Sequence, residues 1–167
     1  MHKQDVIDLR TYRDADLEED ANEDAASQYL RAGTMLLLGQ YTITGYLNCG
    51  GFGITYRAKD SLGRDVVLKE CFPSALCYRS GNAMSLRAPA YQEELDSIVG
   101  QFIKEAKRLA NLRHDNIVHV HQIFEENNTA YIAMDFIDGP DLLDILEEDS
   151  MHFSPSDIQF LTEKLLY

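Results

Sequence analysis

Apolar residues in this chain change period along its length. The runs from Tyr41 to Leu47 and from Ile54 to Ala58 are short and strand-like, and Val66, Val67 and Leu68 begin a third that ends at Lys69 and Glu70. From Leu95 to Leu112 the period lengthens, with Leu95, Ile98, Val99, Phe102, Ile103, Ala106, Leu109 and Ala110 recurring at spacings of three and four. That spacing predicts an amphipathic helix. Strand character returns in the alternating His119 and His121 and in the run from Ala130 to Phe136. Further on, Ser154, Pro155 and Asp157 form a helix start ahead of Ile158, Phe160, Leu161, Leu165 and Leu166. The order predicts an α+β fold: a five-stranded antiparallel sheet from about Gln40 to Phe136, one long helix packed across it, and short helices from about Asp141 and from Pro155. No internal repeat is visible.

The connection between the first two strands carries Asn48, Cys49, Gly50, Gly51, Phe52 and Gly53. A glycine cluster between strands lets backbone amides approach phosphate oxygens with no side chain in the way, and Phe52 could cap such a loop against water. The same residues also suit an ordinary hairpin turn. Strand alternation places Lys69 on the face of Val67, beneath that loop, where an ammonium group supplies a mobile charge. On the helix, Glu105 lies beside the apolar stripe rather than opposite it, so its carboxylate needs a cation or a route to water. Lys69 is the expected partner. Glu94 is the rival acid, but it opens the helix, where the macrodipole already accounts for it.

These elements resemble the N-terminal lobe of bacterial serine/threonine protein kinases of the eukaryotic type, over Gln40 to about Leu146. Leu112 to Val118 are similar to that family's helix-to-strand link, and Ala130 to Gly139 to its fifth strand and hinge. The resemblance implies ATP binding in which the glycine loop (Leu47, Asn48, Gly50, Gly51, Phe52, Gly53) covers the phosphates and Lys69, paired with Glu105, holds them. It further implies Met134 as gatekeeper, the backbone of Asp135 and Ile137 as the adenine contacts, and Leu47, Thr55 and Val67 as the apolar ceiling. Asp141 would reach the ribose, although an acid at a helix start is an equal reading.

Three positions depart from the family pattern. Asn48 stands where the first loop glycine is usual and is tolerated if the turn needs left-handed backbone; Thr55 replaces valine; Val67 replaces alanine and narrows the pocket. The stretch from Cys71, Phe72 and Pro73 to about Tyr91 is expected to be an inserted loop. The chain ends at Tyr167 without a His-Arg-Asp catalytic loop or an Asp-Phe-Gly metal motif, so neither a catalytic base nor a ligand for the ATP-bound Mg2+ is expected in it. The expectation is therefore a fragment: an acidic tail at 1–35, a kinase N-lobe at 40–139, and the start of a C-lobe at 140–167.

Composition adjusts this picture modestly. With 167 residues, 45% of them hydrophobic, the chain suits one domain. No apolar stretch reaches membrane-spanning length and no secretory signal follows Met1, so a cytoplasmic location is expected. The net charge of −13, concentrated between Asp14 and Asp24, disfavours nucleic acid and anionic membranes as partners. The low apolar content of Met1 to about Ala32 reads as a mostly disordered tail, in which Thr11, Tyr12 and Ser27 are candidate autophosphorylation sites. Three cysteines at odd count and without metal spacing are expected to be reduced thiols, with Cys49 either a redox switch or an inert small side chain. His119 and His121 face one side of a strand, but no third ligand is close in sequence, so no metal is assigned. The leading reading is the ATP-binding lobe of a serine/threonine kinase whose full-length form transfers the γ-phosphoryl group to protein hydroxyls. The alternatives are a pseudokinase or truncated regulatory module, and a broken reading frame.

Overall fold

A computed structural model describes residues 28–51, 53–139, 145 and 154–166. Its main sheet is antiparallel throughout and contains β1 (Met35–Leu36), β2 (Tyr41–Gly50), β3 (Gly53–Asp60), β4 (Asp65–Cys71), β7 (Val120–Glu126) and β8 (Thr129–Asp135), in the spatial order β1-β2-β3-β4-β8-β7. The five expected strands are all present, and the two-residue β1 adds a sixth at the edge of β2. A second, two-stranded sheet is formed by β5 (Cys77–Ser80) and β6 (Ala83–Leu86). A single 3-10 turn (Pro89–Tyr91) leads into α1 (Gln92–Ala110), and α2 (Pro155–Leu166) follows the sheet.

Directly opposed residues in neighbouring strands share a face, so the register sorts side chains into two layers. One row runs Ile54, Glu70, Tyr131, Phe124, and the next runs Tyr56, Leu68, Ala133. This face is buried. It packs with Leu36, Ile43, Phe72, Cys77 and Met84 into the larger core, which Leu95, Ile98 and Val99 of α1 also join. The opposite face carries Thr55, Lys69, Ile132 and Ile123 in one row and Arg57, Val67 and Met134 in the next. The C-terminal half of α1 covers part of it, with Phe102, Ala106 and Ala110 against Val120, Ile123, Ile132 and Met134. Burying one such large apolar side chain contributes about 1.5–3 kcal/mol, which is why a helix of this period docks rather than standing free.

Two sequence expectations are corrected here. The inserted stretch after Pro73 is not a loop throughout: Cys77, Arg79 and Met84 of the β5–β6 hairpin are buried, and Cys77 and Met84 pack on the sheet face that carries Ile54, Tyr56 and Leu68. The acidic tail also stops earlier than 35. Leu30 and Leu36 are 3% and 1% exposed, and the Leu30 N–H donates to the Tyr56 hydroxyl, so residues 28–36 belong to the fold. The physical reason is the same in both cases, since the sheet face that carries Ile54, Tyr56 and Leu68 is apolar and needs a cover. The remainder of the tail, with Thr11, Tyr12 and Ser27, lies outside the described residues, as does the helix expected at Asp141 apart from helical Ile145.

At the start of α2 the expected cap is present. Ser154 donates its N–H and hydroxyl to Asp157 Oδ2 at 2.9 and 2.6 Å, and Pro155 occupies the first helical position. Asn116 Nδ2 donates to the Lys164 carbonyl, tying this helix to the link after α1.

Candidate functional site

The β2–β3 hairpin ends in Gly50 and Gly51, where an added Cβ would meet nothing within 4 Å. Gly53 is different: a Cβ there would lie 2.1 Å from the carbonyl oxygen of Glu70, so backbone contact between β3 and β4 demands glycine at this position. Asn48 does not adopt left-handed backbone. It sits inside β2 opposite Thr55, past a register shift between Tyr46 and Asn48. The expectation that asparagine substitutes for a turn glycine is thereby corrected, because the turn begins later, at Gly51. Leu47 is 40% exposed. Phe52 and Asp141 lie outside the described residues.

Thr55, Val67, Lys69 and Met134 share the face opposite the larger core, in two adjacent cross-strand rows. Thr55, Val67 and Met134 are half-buried and Lys69 is exposed. Together they form an apolar wall with one cation standing beside the glycine hairpin. Past Met134, the N–H of Asp135 donates to the His119 carbonyl at 3.0 Å, so a ligand at Asp135 would have to be met by its carbonyl. Ile137 is 72% exposed.

Lys69 and Glu105 do not form an ion pair in this structure, and both are exposed. Of the two resolutions open to a carboxylate beside an apolar stripe, Glu105 takes the route to water. Glu94 is exposed as well.

The charged residue that is buried on β4 is the neighbour, Glu70, at 0% exposure. Its Oε2 lies 2.6 Å from Arg79 Nη2 and accepts from the Tyr56 hydroxyl at 2.8 Å, while Oε1 accepts from the Tyr131 hydroxyl at 2.9 Å. Arg79 also donates to the carbonyls of Gln28 and Asn82 and to the Tyr56 hydroxyl, and stacks over the Phe72 ring at 4.7 Å. Every partner of this pair is therefore a hydrogen-bonding group fixed by the fold. Burial, and then the Glu70 charge, pushes both phenols far above the ordinary tyrosine range. Sequence reading missed both members of the pair. The available signal was a glutamate in the same alternating register as Val66 and Leu68.

The cysteines separate by environment. Burial pushes the Cys71 thiol up to about 12, and burial also raises Cys77 and Cys49. Cys49 is exposed, but with a raised thiol it lacks the activation that a redox switch requires. A cavity of about 880 Å³ between β6, α1 and the β7–β8 turn, lined by Met84, Leu86, Leu95, Val99 and Glu126 among others, contains none of the residues expected to bind nucleotide.

The protein kinase domain family matches residues 47–167. Among curated proteins, the chain is 30% identical over 122 residues to cyclin-dependent kinase 11 of Dictyostelium discoideum, covering 72% of this chain and 29% of that one. It is 32% identical over 113 residues to the serine/threonine-protein kinase PkaA of Streptomyces coelicolor, covering 66% and 19% respectively. Among solved structures it resembles the apo form of PpkA-294, with a TM-score of 0.69, 32% identity, and coverage of 74% of this chain and 44% of that one. The Mycobacterium tuberculosis PknI kinase domain shares the fold, with a TM-score of 0.59 at 22% identity. The chain thus spans less than half the length of each of these proteins.

Proposed function

The chain belongs to the protein kinase family, and on that premise we propose that it is the ATP-binding lobe of a serine/threonine kinase that transfers the γ-phosphoryl group of ATP to protein hydroxyls. The observation that carries this reading is the row joining Thr55 and Lys69 across β3 and β4, next to Val67 and Met134 and beside the glycine hairpin. The adenine ring would lie against Thr55, Val67, Leu47 and Met134, and be met by the backbone of Asp135 and Ile137. Its phosphates would extend beneath Gly50, Gly51, Phe52 and Gly53 towards Lys69, whose point charge suits a phosphate oxygen.

Glu105 then acts on Lys69 rather than on ATP. The ion pair that is open here would close when α1 approaches β4, steering the ammonium group towards the phosphates. Asp141 would reach the ribose. Mg2+, when bound with ATP, neutralises phosphate charge, and no residue of this chain is assigned to hold it. No residue of these 167 is assigned to the protein substrate or to the role of catalytic base. A cytoplasmic setting suits such a protein, and no described helix is long and apolar enough to cross a membrane.

Two measurements test the proposal. Calorimetric titration of the chain with ATP·Mg should show binding that weakens in Lys69→Ala. In the longest protein that contains the chain, Lys69→Met should abolish phosphoryl transfer, and persistent transfer would overturn the assignment. The open Lys69 and Glu105 favour a second reading, a nucleotide-binding or interaction module without catalysis. That reading expects partner binding to survive Lys69→Met and no transfer from the parent protein.

A further inference from the structure

His119 and His121 acquire in the fold the third ligand that their sequence neighbourhood lacks. Asp135, on the neighbouring strand β8, offers a carboxylate oxygen, and one ligand atom from each of the three residues lies within 4.8 Å of the other two. His121 Nε2 is 2.7 Å from Asp135 Oδ1, and the two imidazole rings meet edge to face with centroids 5.2 Å apart. Backbone geometry holds the cluster. The Asp135 N–H donates to the His119 carbonyl, and the register shift between Val120 and Gln122 turns His121 towards Asp135.

We propose that His119, His121 and Asp135 form a surface site for a zinc-class divalent cation, which clamps the start of β7 to the end of β8. Two imidazoles and one carboxylate match the donor set of open Zn2+ sites, where three protein ligands leave a fourth position to water. The same set is poor for Mg2+ or Ca2+, which prefer oxygen ligands, so this site is chemically separate from any cation that travels with ATP. Bonds of about 2.0–2.2 Å require the three ligand atoms to draw closer than their present spread. Exposed His119 and His121 can turn to do so without disturbing the core. Binding would replace the direct contact between His121 and Asp135 with a bond from each to the metal. It would also fix the Asp135 side chain at the point where β8 runs into the exposed residues Ile137 and Asp138. The proposal stands on this geometry and is independent of the nucleotide reading.

The test is calorimetric titration of the 167-residue chain with Zn2+, in a His2→Gln, Cys49→Ser background that removes a terminal imidazole and the exposed thiol. One ion should bind per chain. His121→Ala and Asp135→Asn should each weaken binding by about tenfold or more. A folded parent that binds no Zn2+, or binding unchanged in either variant, overturns the site and leaves a simple histidine-carboxylate contact. Should the variants fold poorly, imidazole nitrogen NMR of the unsubstituted chain decides the matter. The His119 and His121 signals should shift together and saturate at one equivalent of Zn2+, and shifts confined to other histidines count against the proposal.

Discussion

Arg79 reaches from the inserted hairpin to Glu70 on β4, 2.6 Å away, with both side chains shut off from water. A buried pair of this kind gains little over a well-packed apolar substitute, yet losing one member strands the other. Arg79→Ala should therefore destabilise the fold by about 3–5 kcal/mol, and Arg79→Lys by less, since a lysine keeps the charge but not the fork. Urea unfolding of the three proteins measures this, and an Arg79→Ala midpoint equal to that of the parent would show that the pair carries no structural load.

Gly53 and Gly51 should respond differently to the same added methyl group. At Gly53 the new atom meets the Glu70 carbonyl, a backbone atom that cannot swing aside, and Gly53→Ala is expected to cost at least about 1–3 kcal/mol. At Gly51 there is open space, so Gly51→Ala should stay within about 0.5 kcal/mol of the parent. Thermal melts compare the two, and any loss of ATP affinity in Gly51→Ala is then attributable to the loop rather than to folding.

Stability should fall at alkaline pH. The Cys71 thiol rises from 9.0 to about 12, and the phenols of Tyr56 and Tyr131 lie above their ordinary value of 10.0, so all three stay protonated in the folded chain under conditions that ionise them in the unfolded one. Stability from a raised group is complete below its unfolded pKa and drains away as pH climbs towards the folded one. Urea midpoints at pH 8 and pH 10.5 should show the decline. Tyr131→Phe should make it shallower while lowering stability at pH 8, because Glu70 loses a donor. Equal midpoints at the two pH values would contradict the burial of these groups.

Leu38 is fully exposed with φ of 56°, a left-handed conformation that costs a leucine energy and returns no packing. Leu38→Asn should raise stability by up to about 1 kcal/mol, readable as a higher melting temperature. Asn127 and Asn128, at φ of 53° and 62° in the β7–β8 turn, already show asparagine in this role.

The readable parts of this fold were those governed by a single local period. Alternation alone puts Val67 and Lys69 on one face and Val66 and Leu68 on the other, and the 3.6-residue period alone gives α1. What escaped depended on distant segments. Ser80, Gly81 and Asn82 look like loop residues, and nothing local reveals that Arg79 beside them answers a glutamate on another strand. Asp135 lies far from His121 in the chain and next to it only through the β7–β8 register. The open Lys69 and Glu105 mark the opposite case, since a charge with access to water needs no partner and the sequence cannot say whether it takes one. Phe52 and Asp141 lie outside the described residues, so their expected roles rest on the family pattern.

Glu70 also has a bearing on how β4 is aligned. Sliding this strand by one residue would carry Lys69 into the apolar layer and push Glu70 out towards the glycine hairpin, away from Arg79 and both tyrosines. Neither charge tolerates the exchange: the lysine would be buried without a counter-ion and the arginine left without its acid. The two adjacent residues thus work as a key cut on both edges, admitting β4 between β3 and β8 in one alignment only. A pair of charges that adds little to the depth of the folded state can still decide which of two nearly equal sheets is built.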